Sequence, residues 1–392
     1  MQYEFPEIRH LDDVRAAIDG CDEFIIAERD WGYVVNYMVS MADTFPAVES
    51  VNDALRRECR GLLFHPDGSI MARRLHKFFN VNERDETQHH LVDLGQTHVI
   101  LEKLDGSMIT PVVTEHGLRW GTKMGITEVS MQAEEWVATR PDIGRWAQRM
   151  LDQGWTPIFE WCSRKQRIVV DYVIDRLVLI AVRRTVEGTY MSYADMRAQA
   201  EGNALDVVRA YPGTADSMEH LIELTKPIKG QEGWVVRFDN GHMIKIKADE
   251  YVKIHKIKDT LTFEKDVIDL IINEKMDDIK GHMLDDDRHR VEQFEAEFWQ
   301  GVSAMVDTYD KYWLAVQNSK LDRKSYAINW MPTIKDNDPF APQFIFGKFD
   351  GKDSRAMIID VIRRNTGSST KVDSVRNLWG GIRWSHAGTL GD

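Results

Sequence analysis

HVILEKLDGSMITPVVT, residues 98–114, is the stretch on which the fold turns. Two runs rich in valine, isoleucine and threonine flank Leu104-Asp105-Gly106, a pattern that reads as two β-strands joined by a turn. The turn presents Lys103 at the end of the first strand, and Gly106 permits a tight reversal behind it. A K-x-D-G string arises by chance in about one chain in ten of this length at average composition, so its weight comes from its surroundings. A lysine attacks phosphorus only as the neutral amine, a state favoured by burial and by neighbouring positive charge. A solvated surface turn is the plain alternative for the same four residues.

Short β-rich runs recur on the C-terminal side: LRWGTK, TPIFEW, QRIVVDYV, LVLIAVRR, GWVVRF and MIKIK. Turn formers separate many of them. FHPDGSIM (64–71) is expected to form a hairpin about Asp67-Gly68. Asp239-Asn240-Gly241 is expected to join GWVVRF to MIKIK in the same way. Connections this short predict antiparallel pairing. SMQAEEWVATR and IGRWAQRMLDQG carry helical periodicity. From about residue 259 the texture changes. TFEKDVIDLIINEKMDDIKGHM, HRVEQFEAEFWQGVSAMVDTYDKYWLAVQ and SRAMIIDVIRRN place apolar residues at helical spacing, whereas NTGSSTKVDSV reads as loop. The expectation is an α+β chain, with a domain of antiparallel sheets over 1–258 and an all-helical domain over 259–392.

A length of 392 residues agrees with two domains, and 43% apolar with 29% charged residues describes a globular chain. No window approaches the roughly 20 apolar residues of a membrane span. The opening MQYEFPEIRHLDDVR lacks the apolar core of a secretory signal. Cys21, Cys59 and Cys162 form no CxxC pair, which argues against a disulfide framework or zinc site and for a reducing cytoplasm. The net charge of −13 opposes nucleic-acid binding, because phosphates require neutralising cations. Its distribution is more favourable. RRLHKFF (73–79) and IKIKADEYVKIHKIK (244–258) are basic, while acids crowd elsewhere, as at Asp285-Asp286-Asp287. A positive strip on an acidic body holds nucleic acid locally and predicts weak non-specific binding. The bland alternative is that both runs are solvated faces.

Three further segments carry chemistry. Glu160 lies between aromatic neighbours in FEW, where a buried carboxylate needs a metal or a base as partner. Glu232 opens the strand-like EGWVV and is available to a ribose hydroxyl or a metal. Lys245 and Lys247 share one face of MIKIK by the strand period of two, and such a pair repels itself unless an anion sits nearby. A triphosphate would serve.

In their order these segments resemble the covalent nucleotidyltransferases, the superfamily of ligases and mRNA capping enzymes. Within it the chain resembles the bacteriophage RNA ligase 1 family of tRNA-repair ligases. The likeness runs through RECRGLLFHPDG, HKFFNVNE, EKLDGS, WGTKMG, FEWCSRKQRIVV, EGWVV, MIKIKADEYVKIH and LDRKSYAI. It implies an ATP-grasp-like nucleotidyltransferase domain before a helical tail. Lys103 is then the AMP carrier, with Asp105 and Gly106 shaping its turn. Arg60, Lys77 and Tyr37 are implied as ATP contacts, with Phe78 or Phe79 packing near Lys77. Lys123 matches a basic position after the nucleophile strand. Glu160 and Glu232 are implied to contact nucleotide or metal, and Asp277 to bind metal. Lys245 and Lys247 match the pair on the triphosphate, and Tyr251 a tyrosine needed for ligation. Leu104 stands where the family often has an acid. The first 35 residues match poorly, so the resemblance assigns no adenine pocket.

The implied activity joins a 5′-phosphate RNA end to a 3′-hydroxyl end through lysyl-AMP. The implied cofactors are ATP and Mg2+, with Mn2+ able to substitute. The implied partners are RNA, in the form of a nicked tRNA, and an end-healing kinase/phosphatase. DNA ligases and capping enzymes usually follow the lysine pair with an OB-fold of about five strands, where this tail is helical. A non-catalytic RNA-binding protein on a ligase scaffold should have lost some of Lys103, Glu160, Lys245 and Lys247, and all are present.

Overall fold

The structure, a computed structural model, describes residues 4–41 and 43–385. It forms two compact units that divide between Val252 and Lys253, inside the helix Asp249–Thr262.

The first unit carries three four-stranded sheets among its described residues. The first contains β1 (Phe24–Arg29), β2 (Gly32–Tyr37), β3 (Leu62–Phe64) and β4 (Ile70–Ala72), in that order. The remaining strands are β5 (Phe79–Asn80), β6 (His98–Lys103), β7 (Ser107–Thr114), β8 (Gly117–Gly121), β9 (Trp155–Cys162), β10 (Arg176–Arg184), β11 (Gly233–Phe238) and β12 (Met243–Lys247). They form a sheet ordered β10-β9-β7-β8 and another ordered β5-β12-β11-β6. Pairing is antiparallel as expected, apart from a short parallel contact between β12 and β5. Both predicted hairpins form, β3 to β4 about Asp67-Gly68 and β11 to β12 about Asp239-Gly241.

Alternation in the third sheet decides what faces what. Ile100, Trp234, Val236, Phe238, Ile244 and Ile246 turn to an apolar core with Met218 and Leu221. The opposite face therefore carries Leu101, Lys103, Val235, Arg237, Met243, Lys245 and Lys247. The second sheet buries one face under the helices Glu128–Ala138 and Pro141–Asp152, through Ala133, Val137, Ile143, Trp146 and Met150. Both helices start where local chemistry requires. Thr127 and Ser130 form a reciprocal cap, and Pro141 occupies the first turn.

One predicted strand does not form. QRIVVDYV (166–173) has the apolar, β-branched composition of a strand, yet it runs as irregular chain between β9 and β10. Its backbone N–H groups bind a side chain instead of a neighbouring strand, as described below.

The second unit is helical. Its spine is the helix Asp285–Asn318, 34 residues and about 51 Å long. Val291, Phe294, Phe298, Val302 and Tyr309 recur on one face and pack with Val267, Ile271, Phe344, Ile358 and Trp379. NTGSSTKVDSV was expected as loop, but Ser369–Val375 is a helix. The Ser368 hydroxyl accepts the Lys371 N–H at 3.3 Å, and Val372 and Val375 are buried. Two valines suffice to anchor a helix this short, and they are too few to show as a period. No helix among the described residues is long and apolar enough to cross a membrane, and the three cysteines are free.

Candidate nucleotide site

Three cross-strand rows build the polar face of the third sheet. Lys103, Gly233 and Lys247 lie side by side, then Leu101, Val235 and Lys245, then Val99, Arg237 and Met243. Gly233 has φ +144°, and a Cβ there would come within 2.0 Å of the Ile246 carbonyl oxygen. The central strand thus offers no side chain between the two lysines of the first row.

Those lysines converge on one carboxylate. Glu232 Oε2 is 2.7 Å from Lys103 Nζ, and Glu232 Oε1 is 3.0 Å from Lys247 Nζ. Glu232 is buried, which works to raise its pKa, but Lys103 and Lys247 outweigh burial and hold the carboxyl below its ordinary range. Lys245, in the next row, forms no ion pair among the described residues. Its ammonium lies 5.2 Å from the centre of the Phe78 ring. Burial first, then Arg60, Lys103, Lys77 and Lys247, push its pKa well below the usual lysine value. A desolvated cation among cations is a site that an anion would stabilise.

Asp105 supports the Lys103 turn from inside. It is 4% exposed. Its Oδ2 accepts the backbone N–H groups of Val169 and Val170, each at 2.7 Å, and its Oδ1 accepts the Tyr251 hydroxyl at 2.8 Å. Its own N–H donates to the Tyr172 hydroxyl at 2.8 Å. This is where QRIVVDYV spends its backbone donors. Burial, followed by the Glu232 and Asp105 carboxylates, raises the Tyr251 phenol above its usual value, so it remains a donor.

Gly106 acts by space and not by a left-handed turn. A Cβ on it would lie 2.3 Å from the Trp161 carbonyl oxygen and 3.1 Å from Glu160 Cγ. Gly106→Ala must push β7 from β9, and is expected to destabilise the protein by about 1–3 kcal/mol, measured as a lower midpoint in urea.

A cavity of about 250 Å3 opens over this face. Arg60, Phe78, Lys103, Gly106, Lys123 and Glu160 line it together with Lys245 and Lys247. Tyr37 and Lys77 do not line it, but both lie close enough to Arg60 to feel its charge. The Lys77 ammonium lies over the rings of Tyr37 at 4.8 Å, Phe45 at 5.1 Å and Phe79 at 5.6 Å, so Phe79 is its neighbour while Phe78 faces the cavity. Burial works to raise the Tyr37 phenol, but Arg60, Lys77 and Lys123 more than reverse it. Asp277 belongs to the second unit, on the helix Met276–Lys280, and does not line the cavity. It is exposed and pairs with Lys280 at 2.8 Å.

Several lining residues escaped the sequence reading. Glu102 reaches the cavity and pairs with Arg209 at 3.0 Å. Ile180, Ala181, Val208, Val235 and Met243 give the cavity an apolar wall beside Arg237. The period of two would have found Val235 and Arg237, since both share the face of Gly233. Nothing local marks Val208, which β10 and its neighbours bring in from another sheet.

Two family models match consecutive stretches of the chain. The family model described as RNA ligase matches residues 58–251, and that described as T4 RNA ligase 1, C-terminal domain, matches residues 258–368. A protein of Thermovibrio ammonificans named "Putative RNA ligase" is 30% identical over 262 residues, 62% of this chain and 65% of its own. A "Putative bifunctional polynucleotide kinase/RNA ligase" of Autographa californica nuclear polyhedrosis virus is 24% identical over 56% of this chain and 34% of its own. The chain thus spans less than two thirds of either relative. An archaeal ATP-dependent RNA ligase structure aligns over 65% of both chains at 12% identity with a TM-score of 0.43. The two family matches follow one another along the chain, one within each unit, and the chain belongs to the RNA ligase family that they describe.

Proposed function

We propose that this chain is an ATP-dependent RNA ligase that carries AMP on Lys103 and seals 5′-phosphate to 3′-hydroxyl RNA ends. The observation that supports it most is the company of Lys103. Arg60, Lys123, Lys245 and Lys247 gather around one cavity in a chain of net charge −13, and Glu232 is the carboxylate that pairs with two of the lysines. Such a cavity suits a polyphosphate.

The Lys103 Nζ lone pair attacks the α-phosphorus of ATP. The N–P bond forms, the P–O bond to pyrophosphate breaks, and Glu232 Oε2, 2.7 Å away, is at hand for the proton the amine gives up. A 5′-phosphate oxygen then attacks the same phosphorus, the N–P bond breaks, and a 5′–5′ pyrophosphate results. Finally a 3′-hydroxyl attacks the 5′-phosphorus and AMP leaves. Each step is a displacement at phosphorus, so positioning and fixed positive charge supply the catalysis.

A divalent cation fits this set. Among the described residues no three His, Cys, Asp or Glu side chains gather as a metal cage. Mg2+ needs none, because it takes one or two carboxylates with phosphate oxygens and water. Glu160 lines the cavity and would hold the ion, and Mn2+ would substitute. The ion would offset phosphate charge.

Lys245→Met separates stability from function. It removes a desolvated cation that has no counter-ion among the described residues, so the melting temperature should hold or rise. The rate of enzyme adenylylation should fall by about a hundredfold or more, read from incorporation of labelled AMP.

We further propose that the RNA is a nicked tRNA prepared by an end-healing kinase/phosphatase. The helical unit, matched over 258–368 by the C-terminal domain of T4 RNA ligase 1, is the part of the chain we assign to recognising that RNA. Sealing of a cleaved tRNA anticodon loop should outpace that of an unstructured RNA of equal length, and both should outpace DNA ends. Equal sealing of DNA would overturn the assignment to RNA.

A further inference from the structure

Arg237 is a buried cation that nothing in the proposed chemistry uses. It is 5% exposed, forms no ion pair among the described residues, and lines the cavity. Its Nη2 makes one long hydrogen bond, 3.4 Å to the Met191 carbonyl oxygen, and its Nη1 is buried without a partner. An orphaned guanidinium donor is expensive in a fold unless a ligand satisfies it.

Its place on the sheet says which part of a ligand it would meet. Arg237 lies on the face of Gly233 and Val235, four residues along β11 from the Lys103–Lys247 row. At strand rise that is about 13 Å. A nucleotide whose α-phosphate sits at Lys103 and whose base extends along β11 would bring that base to Arg237. The lining changes accordingly, from lysines to Ile180, Ala181, Val208, Val235 and Met243. Apolar walls with one polar group describe a slot for a flat heterocycle. Arginine only donates hydrogen bonds, so it would face a ring nitrogen of a purine and not an exocyclic amine.

We propose that Arg237 reads the base of the bound nucleotide, donating from its guanidinium to a ring nitrogen of adenine at the apolar end of the cavity. This rests on the nucleotide reading of the cavity, but it does not depend on transfer of AMP to lysine. The test therefore uses binding. In the full-length Lys103→Ala background, equilibrium dialysis measures the Kd of ATP, 1-deaza-ATP, 3-deaza-ATP and 7-deaza-ATP, with and without Arg237→Met. One deaza analogue should bind about tenfold more weakly than ATP with Arg237 present. In Arg237→Met, ATP should weaken by a similar factor and that preference should vanish. A deaza preference that survives Arg237→Met overturns the proposal. So does a protein with Arg237 that binds all four nucleotides equally, an outcome readable even where the Met variant does not fold. Absence of labelling at Lys103 in the parent protein would instead count against the lysyl-AMP reading and leave these ratios measurable.

Discussion

Lys103→Ala is expected to take up no label from ATP labelled at the α-phosphate, a loss of at least about a thousandfold against the parent protein. The same variant should still seal RNA that already carries a 5′-5′ linked AMP, because the last step needs no lysyl nucleophile. The pair of measurements separates chemistry from folding. Lys103 is partly exposed, at 21% for its side chain, and its removal leaves Glu232 with Lys247 as partner, so the fold should survive. Retention of label would sink the assignment. Peptide mapping would then show whether Lys245 or Lys247, its neighbours on the same sheet face, carries the AMP. Failure to seal the adenylylated RNA would show that Lys103 also serves the final step.

A loss of stability is expected at a residue that does not line the cavity. Glu58, in the helix Val51–Glu58, is 2% exposed. It accepts from Arg183 at 2.7 Å on both oxygens and from Arg73 Nε at 3.0 Å. Burial works to raise its carboxyl, but Arg183 and Arg73 reverse that and hold it at about 2. Glu58→Gln leaves two buried guanidinium groups without a counter-charge. A cost of about 3–5 kcal/mol is expected, and a fall in melting temperature on the order of 10 °C for a unit of this size. The pH dependence follows from the same pairing. The carboxyl is depressed in the folded state, so its contribution is complete above the ordinary glutamate value of 4.5 and is lost as pH falls toward about 2. The parent protein and Glu58→Gln should therefore differ most near neutral pH and converge in acid. A constant difference in melting temperature between pH 7 and pH 3 would mean that charge is not what Glu58 contributes.

Much of this site was open to reading along the chain, because strand alternation is local. The period of two puts Lys245 with Lys247, and Arg237 with Val235, whatever the rest of the protein does. The Asp-Gly and Asn-Gly turns at 67–68 and 240–241 close hairpins through their own backbone preferences. Helical spacing marked the second unit, and it faded only where a helix is too short to show a repeat, as at Ser369–Val375.

The remaining features depend on residues that meet only after folding. Composition assigned QRIVVDYV to a strand, but the Asp105 carboxylate, 64 residues earlier, takes its backbone N–H groups. The Tyr251 hydroxyl reaches the same carboxylate from 146 residues away. Glu58 looked like the end of an ordinary helix, and became a buried counter-ion only when Arg73, just past β4, and Arg183, on β10, arrived. Alternation along a strand thus determined which side chains point the same way. Only tertiary packing decided which of them lost their water, and with it which charges needed partners.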